Sequence, residues 1–215
     1  KKFGWKNNLS TKRFVRPINT LKFIPIVRRL KLNFVNRALR YLIKKKYSRN
    51  VSINPYKIGD NFKIISDSFK IKKITKNNRF AEIIRDEKWL HWRLIECPYK
   101  KDIHFFEYKN NFAIVHIFLI ENIKKLNILY TYSINKPQKN ELFILIINWA
   151  INNDIDLVWA VNTNTEFENI FSKILSKSIN FASWSLDQKI SETLQNGLLD
   201  PQGIDSDIDS SLYVE

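Results

Sequence analysis

IHFFEYKNNFAIVHIFLIENIKKLNILYTYSI, residues 103–134, is the stretch on which the fold turns. Three apolar runs stand in it: Ile103 to Tyr108, Phe112 to Ile120 and Leu126 to Ile134. The breaks between them, Lys109-Asn110-Asn111 and Glu121 to Lys125, are polar and of hairpin length. Runs of β-branched and aromatic residues bounded by such turns predict three antiparallel strands in sequence. Working outward, Glu141 to Asn153 predicts a buried helix and Asp156 to Val161 a short buried strand. Phe167, Ile170, Phe171, Ile174 and Leu175 share a helical face over Glu166 to Ser178, and Asn180 to Trp184 predicts a last strand. Upstream, Phe69 to Ile74 alternates like a strand, and Arg79 to Glu96 has helical spacing closed by Pro98. The order β-α-β-β-β-α-β-α-β implies an α/β fold, a mixed sheet with helices on both faces. No G-x-G-x-x-G is present, so a dinucleotide-binding doubly wound sheet is not expected.

Charge divides the chain. Residues 1–80 hold 23 Lys+Arg against Asp60 and Asp67, and residues 81–215 hold 13 against 19 Asp+Glu, so the net +15 comes entirely from the first part. Nine of those cations, with no acidic residue among them, lie in LKFIPIVRRLKLNFVNRALRYLIKKKY, residues 21–47. Ile26, Leu30, Phe34, Val35, Ala38, Leu42 and Ile43 recur mostly three or four apart, which predicts an amphipathic helix with a cationic face. Such a helix over residues 21–46 suits an anionic membrane surface or another polyanion. It equally suits a linker packed on a neighbouring fold. Aromatic residues do not interleave with the cations as base-stacking platforms would, so no specific nucleic-acid partner is expected. Cys97 stands alone and no apolar run approaches the about 18 residues of a membrane span, which sets the expectation of a cytoplasmic chain, peripheral to the inner membrane at most. The lack of any methionine and the start at Lys1-Lys2-Phe3-Gly4-Trp5 are read as signs of a longer protein.

Asp86-Glu87-Lys88-Trp89-Leu90-His91-Trp92-Arg93, followed by Cys97-Pro98-Tyr99, carries a resemblance. The block resembles the D-x-x-W/Y-L-x-W-R-…-P-Y segment of GNAT-type N-acetyltransferases of the two-domain bacterial group linked with polysaccharide biosynthesis, which has a FemAB-like architecture. Gly203-Ile204-Asp205-Ser206-Asp207 is similar to the G-D-S-D ending of those proteins, and Phe3-Gly4-Trp5 to the segment closing their first fold. The resemblance implies residues 1–20 as the tail of a preceding GNAT-like fold, residues 21–60 as a basic helical linker, and residues 61–215 as a second GNAT-like domain. It implies transfer of an acyl group from acetyl-CoA or another acyl-CoA to the amino group of a sugar-type acceptor. In the family a Q/R-x-x-G-x-G/A loop holds the CoA pyrophosphate on backbone N–H groups. The matching stretch here is Asn135-Lys136-Pro137-Gln138-Lys139-Asn140-Glu141, without a glycine and with Pro137 lacking an N–H. Ile134, Lys136, Gln138 and Lys139 are the residues left to contact a cofactor there. The departure keeps a second reading open, a GNAT-like scaffold or acceptor-binding half without catalysis of its own.

Trp89, Trp92 and Arg93 either form a substrate platform or pack their helix onto the sheet. The resemblance brings Asp205 and Asp207 to the same cleft; the plain reading is a solvated acidic tail. Acyl transfer to an amine needs a group that takes the amine proton, and Glu96 is the candidate base. Tyr132 is the candidate acid, although its alternation with Ile134 also fits sheet packing. His91, His104 and His116 lack metal-ligand spacing, and no metal site is expected.

Overall fold

The structure, a computed structural model, describes residues 6–19, 53–58, 61–75, 86–96, 102–120, 122–162 and 172–183, together with positions 35, 37, 38, 41, 42, 44 and 45. Strands β1 (Lys6–Pro17), β2 (Tyr56–Lys57), β3 (Ile103–Tyr108), β4 (Asn111–Ile120), β5 (Ile123–Tyr132), β6 (Leu157–Asn162) and β7 (Ser172–Ser183) form one sheet. Its order is β2-β3-β4-β5-β6-β1-β7. Every pairing is antiparallel except β5 with β6, so the sheet is mixed, as expected. Helices α1 (Phe62–Thr75) and α2 (Glu87–His91), with a π-helical turn at Trp92–Glu96, precede the three-strand meander. Helix α3 (Lys136–Asn152) connects β5 to β6.

The meander lies where the apolar runs place it. Lys109 and Asn110 take φ of 49° and 62°, the two left-handed residues of a type I′ hairpin between the paired Tyr108 and Asn111. Helix α3 buries Leu142, Phe143, Leu145, Ile146, Ile147, Ala150 and Ile151 against Phe106, Val115, Leu126, Ile128, Val158, Ala160 and Phe14 of the sheet. Full burial of each large side chain is worth about 2 kcal/mol, so this face anchors the domain. On the other face Ile65 of α1, Leu90 of α2 and Leu94 of the π-helical turn pack with Ile103, Phe105, Phe112, Ile114, Leu129 and Tyr130.

Four expectations are corrected. Residues 69–74 are helical, within α1, because Phe62, Ile65 and Phe69 recur at helical spacing and outweigh the short alternation. The helix expected over 79–96 is interrupted at Asp86, whose extended backbone and carboxylate, accepting the Trp89 N–H at 2.7 Å, cap α2; residues 79–85 lie outside the described residues. Residues 172–178 are strand rather than helix; the ladder with β1 overrides their periodicity. Finally, Lys6–Pro17 is an inner strand of the same sheet, between β6 and β7, and not a segment set apart from the 61–215 domain. Phe14 and Ile18 sit in the core. The Asp156 carbonyl accepts the Ile18 and Asn19 N–H groups at 2.9 and 3.0 Å. Its carboxylate accepts the Asn19 side-chain amide and the Lys124 N–H, both at 2.9 Å, which ties the ends of β1, β5 and β6 together. Of the basic segment 21–47, the described positions are helical, and Arg37, Tyr41, Leu42, Lys44 and Lys45 are exposed. Among the described residues no helix is long and apolar enough to cross a membrane.

Candidate functional site

The strands at the centre of the sheet part. The parallel ladder of β5 with β6 runs from Lys125–Leu157 to Ile128–Ala160 and stops, although β5 continues to Tyr132 and β6 to Asn162. At that point β5 carries one extra residue: Ile114 pairs with Tyr130 and Val115 with Ile128, leaving Leu129 as a bulge. Helix α3 begins four residues after β5 ends, with its N-terminus at this end of the sheet.

That N-terminus is closed by the chain's own groups. Residues expected as a loop, Lys136 to Glu141, are already helix, and Asn135 is the N-cap. The Asn135 side-chain oxygen accepts the Gln138 N–H at 3.0 Å, and the Asn135 carbonyl accepts the Lys139 N–H at 3.1 Å. Pro137 in the first turn has no N–H. Of the N–H groups that a helix start leaves without an intrahelical partner, those of Asn135 and Lys136 remain for a ligand. The Ile134 N–H, a candidate cofactor donor, is donated instead to the Asn111 side-chain oxygen at 3.0 Å.

Asn111 organises this end. It is 0% exposed and makes five side-chain hydrogen bonds. Its amide nitrogen donates to the carbonyls of Tyr108 (3.0 Å) and Lys109 (2.7 Å) and to Gln138 Oε1 (3.2 Å). Its oxygen accepts from Ser133 Oγ (2.7 Å) and the Ile134 N–H. One side chain thus fastens the β3–β4 turn, the end of β5 and the start of α3. Glu141, on the first turns of α3, accepts from Tyr108 Oη at 3.0 Å and pairs with Lys109 at 3.6 Å. The hydrogen bond with Tyr108, and then the Glu141 carboxylate, hold the Lys109 ammonium above the ordinary lysine range. A CoA pyrophosphate needs several N–H donors on this helix start, and the residues present do not fit it.

The remaining candidates divide between the sheet face and the surface. Trp89 is half-buried and packs on the α1–α2 cluster, as does Tyr132, whose ring lies 5.3 Å from that of Phe112. Arg93 is buried in the π-helical turn, with its guanidinium carbon 5.9 Å from the Trp92 ring centre, while Trp92 is 50% exposed. Glu96 is exposed and meets His91 Nδ1 at 3.1 Å. Lys136 is exposed, and Gln138 and Lys139 are half-buried. Asp205 and Asp207 lie outside the described residues, as do Cys97 to Tyr99. Asn111, Ser133 and Asn135 were not among the sequence candidates; only the N-cap type of Asn135, two positions before Pro137, signals its role in the sequence. Among the described residues no group of His, Cys, Asp or Glu could hold a metal ion.

No protein-family model and no curated protein sequence matches the chain. Solved structures do. A GCN5-related N-acetyltransferase from Anabaena variabilis superposes with a TM-score of 0.50 at 10% identity, covering 84% of this chain and 41% of that one. A conserved protein from Enterococcus faecalis, described as a probable N-acyltransferase, matches with a TM-score of 0.43 at 10% identity over 87% of this chain and 37% of its own. The chain therefore spans about two fifths of the length of the proteins it resembles. The fold is GNAT-like: a mixed sheet flanked by helices.

Proposed function

We propose that this chain is a GNAT-fold unit that holds the acceptor in an N-acyltransferase system and does not itself hold acyl-CoA. The acceptor in this reading is the amino group of a sugar-type molecule in surface-polysaccharide metabolism, the assignment that the Trp89 to Tyr99 block suggests. The single observation that carries the proposal is the closed start of α3. Asn135 takes two N–H groups, Pro137 lacks one, and Asn111 takes that of Ile134. A phosphate placed there would meet the Asn135 and Lys136 N–H groups alone, with the Glu141 carboxylate further along the same helix. What stays intact is the rest of the architecture: the parted β5 and β6 and the helices packed over the sheet. Trp89 and Tyr132, each half-buried against the cluster on the α1–α2 side, are aromatic side chains of the kind that suit a sugar ring.

Calorimetric titration of the chain with CoA and with acetyl-CoA tests this. We expect no saturable binding up to about 1 mM, since the loss of most N–H donors removes several charge-assisted hydrogen bonds. Micromolar binding of either would overturn the proposal and return the chain to the ordinary acyl-CoA-dependent class.

A further inference from the structure

A row of side chains crosses the α1–α2 face of the sheet just short of the point where β5 and β6 part. The ladders place Ile103, His116, Asn127, Trp159 and Val15 opposite one another on five adjacent strands. All five are buried. Ile103 belongs to the apolar cluster under α1 and α2. Val15 and Trp159 form a second apolar cluster, with Phe118 and Leu157 packed against it. Asn127 stands between the two clusters. It is 1% exposed, and neither its amide nitrogen nor its amide oxygen has a hydrogen-bond partner.

A buried carboxamide with both ends unmade is costly to the fold. The neighbouring strand positions show what sequence would remove that cost, since Leu126 and Ile128 fill the opposite face with carbon. A carboxamide kept at mid-strand, one residue from the last β5–β6 ladder pair and two from the Leu129 bulge, is instead suited to a bound group.

We propose that Asn127 is a ligand-binding residue, and that the row His116–Asn127–Trp159 takes a neutral secondary amide, such as an N-acyl group carried by the acceptor. A secondary amide presents one N–H and one carbonyl, the complement of the Asn127 oxygen and nitrogen. The rings beside it, with His116 and Phe118 centred 5.0 Å apart and Trp159 across the ladder, offer flat ring faces to the methyl or acyl carbon, that of Phe118 wholly carbon. The row itself holds no lysine or arginine, which suits a neutral group. The inference deepens the acceptor-binding reading by naming a chemical group on the acceptor. Its test is separate from that of the CoA titration, because it reads Asn127 and not the start of α3.

Nuclear magnetic resonance on the 15N-labelled chain provides the test. The Asn127 side-chain NH2 pair is identified by its absence in Asn127→Leu. N-methylacetamide and N-acetyl-D-glucosamine are then titrated to about 50 mM, with methyl acetate, which has no N–H, as the control. The expected result is a saturable shift of the Asn127 pair with both amides, at least about tenfold weaker with methyl acetate. A second measurement guards against a purely structural role. Asn127→Leu is expected to keep or raise the melting temperature, because it removes an unmet polar group from the interior. An Asn127 pair that ignores both amides, or that responds equally to methyl acetate, overturns the proposal. So does a lowered melting temperature or a failure to fold in Asn127→Leu, since the amide would then be holding the fold.

Discussion

Two asparagines on adjacent strands are equally buried and lead opposite lives. Asn111, at the first position of β4, makes five hydrogen bonds. Asn127, in the middle of β5, makes none. Position in the elements explains the difference. Asn111 sits where a hairpin turn, a strand end and a helix start meet, and each of these leaves backbone groups that no ladder satisfies. The carbonyls of Tyr108 and Lys109 and the N–H of Ile134 are such groups, and Asn111 answers all three. Asn127 lies between two continuous ladders whose backbone groups already pair, so its amide meets only side chains. Asn111's network leaves little at the start of α3 for a ligand. The bonds that Asn127 leaves unmade are those that the proposed amide would supply.

The largest expected effect breaks the closed end. Asn111→Ala leaves the Ile134 N–H and two turn carbonyls short of a partner in a part-buried place, while the Ser133 hydroxyl keeps the Asn135 carbonyl at 2.8 Å. At about 1 kcal/mol or more for each group left unmet, the loss is about 3–4 kcal/mol of stability, read from urea unfolding midpoints at unchanged m-value. A loss below about 1 kcal/mol would mean that water replaces the amide and that the contrast with Asn127 is one of exposure only. Asn135→Ala is the milder version. It uncaps α3 and frees the Gln138 N–H, at a cost of about 1 kcal/mol by the same measurement.

How much of this was legible in the sequence follows the same division between local and distant partners. The three strands of 103–134 were legible because alternation and turn residues agree within each short run. The start of α3 reads as a loop in the sequence because the resemblance sets Asn135 to Glu141 against the family's cofactor loop. Asn135 followed closely by Pro137 is a helix start, and Asn135 needs only residues three positions away to show it. The end of β7 was legible as the strand expected over Asn180 to Trp184, but its first part was hidden because its partner β1 lies more than 150 positions earlier and a helical spacing over Glu166 to Ser178 competed with it. Asn111 was readable as a turn residue and not as a hub, since its partners Ser133, Ile134 and Gln138 lie 22 to 27 positions away. Asn127 could not be read at all: that an amide has no partner depends on every neighbour the fold brings near.

The smallest expected effect belongs to a group between these extremes. His104 is buried on β3, with its ring 5.8 Å from that of Trp149. Its Nε2 meets Asp102 at 2.9 Å, whereas its Nδ1 has no partner. Burial is the larger influence and pushes its pKa below the ordinary histidine value; the Asp102 hydrogen bond and charge pull the other way, and Lys57 and Lys124 add to the lowering. The folded chain therefore takes up this proton less readily than the unfolded chain. Below the ordinary histidine pKa the unfolded state binds more protons, so this contribution is fully present above that pKa and is lost as the pH falls through the lowered one. His104→Gln keeps a hydrogen bond to Asp102 without a titrating ring. Unfolding free energies measured from about pH 7 to about pH 5 should fall more steeply for the native chain than for the variant. Parallel slopes would show that the Asp102 bond cancels the burial, making His104 a satisfied group like Asn111 and leaving Asn127 as the exception among the three.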